Sequence, residues 1–106
     1  MKNITELNNE NFENFTSDGV VLVDIWAAHC GPCKQLSPIV DEISELFEGK
    51  VSVGKLNTAD HRDLAIELGV RSIPTLIVFK DGERVDTSIG FKTKEEISEL
   101  LNKNLN

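Results

Sequence analysis

Val20-Val21-Leu22-Val23-Asp24-Ile25-Trp26 runs directly into Ala27-Ala28-His29-Cys30-Gly31-Pro32-Cys33-Lys34. The first seven residues are apolar except for Asp24. That is the pattern of a strand covered on both faces, not of one with a wet side. From about Pro32 to Phe47 the apolar residues Leu36, Ile39, Val40, Ile43 and Phe47 recur at helical spacing. Pro38 falls inside this helix and is expected to kink it, and Gly49 ends it. A doubly buried strand handing over to a helix is the start of an α/β layering.

The pattern continues on both sides. Asn8 to Phe15, with Phe12 and Phe15 three apart, reads as a short amphipathic helix closed by Ser17-Asp18-Gly19. Downstream, Val51 to Leu56 reads as a strand, and Asp60 is expected to cap a helix through Leu68 that stops at Gly69. Thr75 to Phe79 is a strand, Asp81-Gly82 a hairpin turn, and Arg84 to Ile89 its partner. Thr93 with Glu96 forms a capping box before Ile97, Leu100 and Leu101. The expected fold is an α/β sandwich with a mixed central sheet and helices on both faces. Its first two crossovers should make parallel neighbours, and the hairpin should add an antiparallel edge.

The chain has 106 residues, 40% hydrophobic and 27% charged, which suits one globular domain over residues 1–106. A chain of this length buries roughly 65% of its unfolded surface and can build a core without staples. The net charge of −7 argues against nucleic acid and against an anionic membrane surface as partners. Residues 1–53 hold three Lys/Arg and nine Asp/Glu, and residues 54–106 eight and nine, so the first half carries most of the acidity. The opening residues lack the apolar stretch of a secretory signal, and no apolar run exceeds four residues, as at Val20 to Val23. A cytoplasmic protein is expected, although a mature secreted form would read the same way.

Cys30 and Cys33 are the chain's two cysteines. A pair three residues apart is no disulfide framework, which needs several bridges closing long loops. At a helix N-terminus, unpaired N–H groups and the positive end of the dipole stabilise a thiolate. The spacing lets the second thiol reach the first and resolve a mixed disulfide. Pro32 lacks an N–H that the first turn would leave unpaired. A zinc site needs about four ligands, and only His29 and His61 could join the two cysteines, so no metal is assigned.

With Val23-Asp24-Ile25-Trp26-Ala27, Cys30-Gly31-Pro32-Cys33-Lys34, Ser72-Ile73-Pro74-Thr75 and Gly90 in this order, the chain resembles the thioredoxin family over essentially its whole length. The resemblance implies a three-layer sandwich with a βαβαββα core. It also implies a protein disulfide reductase that needs no tightly bound cofactor and is re-reduced by a thioredoxin reductase. Cys30 matches the attacking thiol, Cys33 the resolving one, Asp24 the acid that assists proton transfer, and Lys55 its partner lysine. A structural carboxylate paired with Lys55 is the plainer reading of Asp24, whose burial should raise its pKa. Ile73-Pro74 matches a loop with a cis proline, where sequence alone favours trans. Trp26, Gly31, Pro32, Ile73, Pro74 and Gly90, with Phe91 beside them, would line a shallow apolar surface for disulfide-containing substrate proteins. The backbone of Ile73 would pair with an extended segment of the substrate.

His29 departs from the family, which most often has Trp before the first cysteine. A histidine there is either a charge switch beside Cys30 or an exposed residue that only lowers surface apolarity. The rival functions are a disulfide oxidase or isomerase, and a docking module whose thiols are incidental. A monomer is the default.

Overall fold

The computed structural model describes residues 3–105; Met1, Lys2 and Asn106, at the ends of the 1–106 span, lie outside it. The elements in chain order are β1 (Ile4–Glu6), α1 (Phe12–Thr16), β2 (Val20–Trp26), α2 (Gly31–Leu46), β3 (Val51–Asn57), α3 (Arg62–Glu67), β4 (Thr75–Lys80), β5 (Glu83–Ile89) and α4 (Lys94–Asn104). From β2 onward this is the βαβαββα order expected. The five strands form one sheet in the order β1-β3-β2-β4-β5.

Strand β2 takes the centre because its sequence allows no wet face, and Val20 to Ile25 are all buried. Its side chains alternate between two cores. Val20 and Leu22 join Leu36, Val40 and Ile43 of α2 and Ile97 and Leu101 of α4. Val21, Val23 and Ile25 join Leu64 of α3 and Phe12 and Phe15 around α1. The result is three layers, with α2 and α4 over one face and α1 and α3 over the other.

The first crossover gives a parallel pair, β2 with β3, as expected. The second does not: β4 lies on the far side of β2 and runs antiparallel to it. The chain re-enters the sheet at the end where β3 left it and joins the free edge of β2. The hairpin then makes β5 an antiparallel edge. Asp81 and Gly82 both adopt positive φ, 52° and 87°, as a two-residue turn of this hand requires.

Local details also differ from the sequence reading. Strand β1 was not expected, since three residues carry no periodic signal. Helix α1 begins at Phe12 rather than Asn8, because Asn8 and Asn11 each accept the other's backbone N–H at 2.8 Å and so build a turn first. Asp60 does not cap α3. His61 occupies that position without a side-chain cap, and Asn57 Oδ1 serves the preceding turn by accepting Ala59 N–H at 2.9 Å. Helix α2 passes through Pro38 as one element. The Thr93–Glu96 capping box forms as read, with both reciprocal bonds present.

Gly54 lies in β3 where a Cβ would meet Leu7 Cδ1 at 2.7 Å, Leu7 Cγ at 2.9 Å and Phe15 Cε2 at 2.9 Å. Leu7 is itself 1% exposed and has nowhere to move. Gly54→Ala is expected to destabilise the protein by about 1–3 kcal/mol, as overpacked cores do. Urea unfolding of the oxidised protein checks this through a lower midpoint at unchanged slope.

Candidate active site

Sheet register gathers the site. Ile25 of β2 pairs with Thr75 of β4, which pairs with Ile89 of β5, while Trp26 pairs with Asn57 of β3. The chain leaving β2, the chain entering β4 and the chain leaving β5 thus meet at one end of the sheet. Gly90 N–H donates to the Pro74 carbonyl at 2.8 Å, and Thr58 N–H to the Trp26 carbonyl at 2.9 Å. The Ile73–Pro74 bond is cis, as the resemblance implied and as the residues alone did not. Gly90 has φ 93°, a conformation that L side chains rarely adopt. Pro74 is buried, Trp26, Ile73 and Gly90 are half-buried, and His29, Gly31 and Pro32 are exposed. Beside them Ile89 and Phe91 are exposed large apolar side chains. This end of the sheet thus exposes large apolar side chains.

At the same end α2 begins. Cys30 is its N-cap in an extended conformation (φ −127°, ψ 109°), and Pro32 lies in the first turn. Cys33 N–H donates to Cys30 Sγ at 3.2 Å. A sulfur so placed receives a main-chain donor and the positive end of the helix dipole, and both favour a thiolate. Cys30 and Cys33 are joined in a disulfide with Cα atoms 5.2 Å apart. Cys30 is the more exposed, 9% against 4%.

Beneath the pair lies Asp24, on the same face of β2 as Val20 and Leu22 and so under α2. It is 2% exposed, and its Oδ1 is the one buried side-chain polar atom among the described residues without a hydrogen-bond partner. Burial pushes its pKa from 3.8 up to about 6; Lys55 pulls it down, and Asp41 raises it further. Lys55 is the register partner of Asp24 on β3. Its ammonium is nevertheless held by α2, donating to Ser37 Oγ at 2.8 Å and Asp41 Oδ1 at 3.3 Å. The pairing of Lys55 with Asp24 considered from sequence gives way to this one.

Ser37 and Asp41 were missed by the sequence reading. Their signal was available: they follow Cys33 at successive four-residue steps, which places all three along one stripe of a helix. Also missed was a groove of about 420 Å³ beside Ile73, whose lining includes Thr58, Ala65, Ile66, Val70 and Arg71. It is made by one side of α3 together with loop residues before and after it, which no single periodicity connects.

The thioredoxin family model matches residues 3–103. The chain belongs to the thioredoxin family. It is 45% identical over 102 residues to thioredoxin of Bacillus subtilis (strain 168), covering 96% of this chain and 98% of that one. It is 55% identical over 83 residues to thioredoxin of Pyropia yezoensis, 78% of each chain. Among solved structures, a mutant thioredoxin from Halobacterium salinarum superposes with TM-score 0.90 at 30% identity, covering 97% of this chain and 91% of the other. The Malassezia sympodialis thioredoxin gives the same TM-score at 28% identity, covering 100% and 94%. With its cysteine pair at disulfide distance, this thioredoxin-family protein is a thiol–disulfide oxidoreductase of the protein-disulfide reductase type. Among the described residues no helix is long and apolar enough to cross a membrane.

The raised pKa of Asp24 has a consequence for stability. Between 3.8, the ordinary value it regains on unfolding, and about 6 the folded protein binds the extra proton. Stability therefore falls as pH rises through that window and stays lower above it. Asp24→Asn removes the buried charge and is expected to stabilise the oxidised protein at pH 7.5 by about 2–3 kcal/mol. The gain should close as pH falls below about 4, where the parent acid is protonated in both states. Urea unfolding at the two pH values checks it.

Proposed function

We propose that Cys30 is the attacking thiol and Cys33 the resolving thiol of a cycle in which this chain reduces substrate proteins and a thioredoxin reductase restores it. The observation that carries the reading is the cysteine pair at the start of α2, with Cys30 Sγ accepting the Cys33 N–H and Cys30 the more exposed. In the reduced protein the Cys30 thiolate attacks one sulfur of a substrate disulfide. The Cys30–substrate bond forms, the substrate S–S bond breaks, and the other substrate sulfur leaves as a thiolate. Cys33 then gives its proton to the Asp24 carboxylate and attacks Cys30 Sγ, which expels the second substrate thiolate. Two electrons pass to the substrate, and Cys30–Cys33 closes. The reductase supplies two electrons to reopen it, and Asp24 returns the proton to Cys33.

Asp24 suits this exchange because burial brings its pKa to about 6, within reach of neutral pH, and Lys55 tempers that rise. Trp26, Gly31, Pro32, Ile73, Pro74 and Gly90 form the surface on which a substrate lies, and the main chain at Ile73 pairs with its extended segment. On this reading residues 1–106 act as one domain, with a monomer as the default. A reductase works where thiols are kept reduced, which favours the cytoplasm.

Two measurements test this reading. In dithiothreitol-driven reduction of insulin, Cys30→Ser is expected to abolish turnover. Cys33→Ser should retain the first attack and accumulate a mixed disulfide at Cys30 that mass spectrometry detects. Turnover by Cys30→Ser, or substrate trapped on Cys33, refutes the assignment. His29 is exposed and immediately precedes Cys30. A protonated imidazole there favours the thiolate and the reduced protein, and so raises the potential. His29→Trp is therefore expected to lower the reduction potential measured against glutathione. Equal potentials from about pH 6 to 8 would leave His29 as a surface residue only.

A further inference from the structure

We propose that Ser37 and Asp41 are positioning residues for the buried acid: by holding the Lys55 ammonium on α2, they keep it off Asp24 and leave that carboxyl free to exchange a proton. The proposal rests on the reading that Asp24 and Cys33 trade a proton. Its starting point is a mismatch in the site. Asp24 and Lys55 are register partners on adjacent parallel strands, on the face of the sheet under α2. In a buried setting an unpartnered carboxylate oxygen and an ammonium with three donors would ordinarily join. Instead Asp24 Oδ1 has no partner, while Lys55 Nζ reaches across to Ser37 Oγ at 2.8 Å and Asp41 Oδ1 at 3.3 Å.

The anchor has two parts. Asp41 supplies the opposite charge, with side chains at the pair only 19% and 24% exposed for Lys55 and Asp41. Ser37 supplies the shorter bond and fixes the direction of the ammonium without adding charge. The groups facing Asp24 are few. From β3 comes Lys55, from α2 comes Asp41, and from β4 the register partner is the uncharged Leu76; Cys33 of the reduced protein joins them on the proton-exchange reading. An ammonium bonded to Asp24 would hold the carboxyl ionised across the working range, so that it could no longer return a proton to Cys33. Held by α2, the same ammonium acts on Asp24 only through space.

The test follows the Asp24 side-chain carbon by NMR through a pH titration of the oxidised protein, where neither cysteine titrates. Ser37→Ala is expected to lower the Asp24 midpoint by about one pH unit, the small end of the effect of an opposite charge at contact. Ser37→Thr keeps the hydroxyl and should return the parent midpoint. Asp41→Asn should lower the midpoint at least as far, since it removes both the anchor and a like charge. In a Lys55→Met background, Ser37→Ala should have no effect. An unchanged midpoint in Ser37→Ala, or an equal shift with Lys55 absent, overturns the proposal. These readouts are separate from the proton-exchange reading, which fails if Asp24→Asn leaves the pH profile of Cys33 alkylation in the reduced protein unaltered.

Discussion

Strand β2 is buried on both faces, and every other part of the architecture answers that requirement. Two faces to cover demand helices above and below, and two unpaired edges demand β3 and β4 as neighbours. Val21, Leu22, Val23 and Ile25 are all fully shielded, which commits a large share of the apolar surface of a small chain to one strand. Where such a strand ends is therefore fixed with little tolerance. Cys30 comes four residues after Trp26, so the position of the pair is inherited from a strand buried on both faces.

The cost of that arrangement is concentrated at Asp24. A carboxyl in the row of Val20 and Leu22 interrupts an otherwise continuous apolar layer, and desolvation is the largest influence on its ionisation. Replacing it is expected to improve the core, and the proposed proton exchange with Cys33 would account for its presence there. On that proposal stability and function are opposed at this one position, as at many sites where an ionisable group is kept in a dry setting.

Much of this was legible in the sequence because the signals were local. The unbroken run at Val20 to Trp26, the spacing of Leu36, Val40 and Ile43, the Asp81-Gly82 turn and the Thr93–Glu96 box each depend on neighbours along the chain. Strand direction does not. Alternating strands and helices suggested a parallel return from β3, but β4 joins the far edge of β2 and runs antiparallel to it. The cysteine pair was equally plain, whereas the cis bond at Pro74 and the roles attached to Trp26 and Gly90 came from family resemblance. The contacts of Lys55 were hidden for a different reason. Ser37 and Asp41 lie 18 and 14 residues from it in the chain, and only the packing of α2 over β3 brings them together.

The sheet also ends well. On one side β1 is three residues long, and on the other β5 carries Glu83, Arg84 and Asp86, with the register shifting opposite Val78 and Phe79. Lys103 and Asn104 of α4 reach over to Asp86 and tie the helix to that margin. Short length, charge and irregular register are the means by which natural sheets avoid adding foreign strands. Both margins of the sheet are thus guarded against taking up an extended segment of another protein as an extra strand, which leaves its end, where the sulfurs are, as the part without that protection.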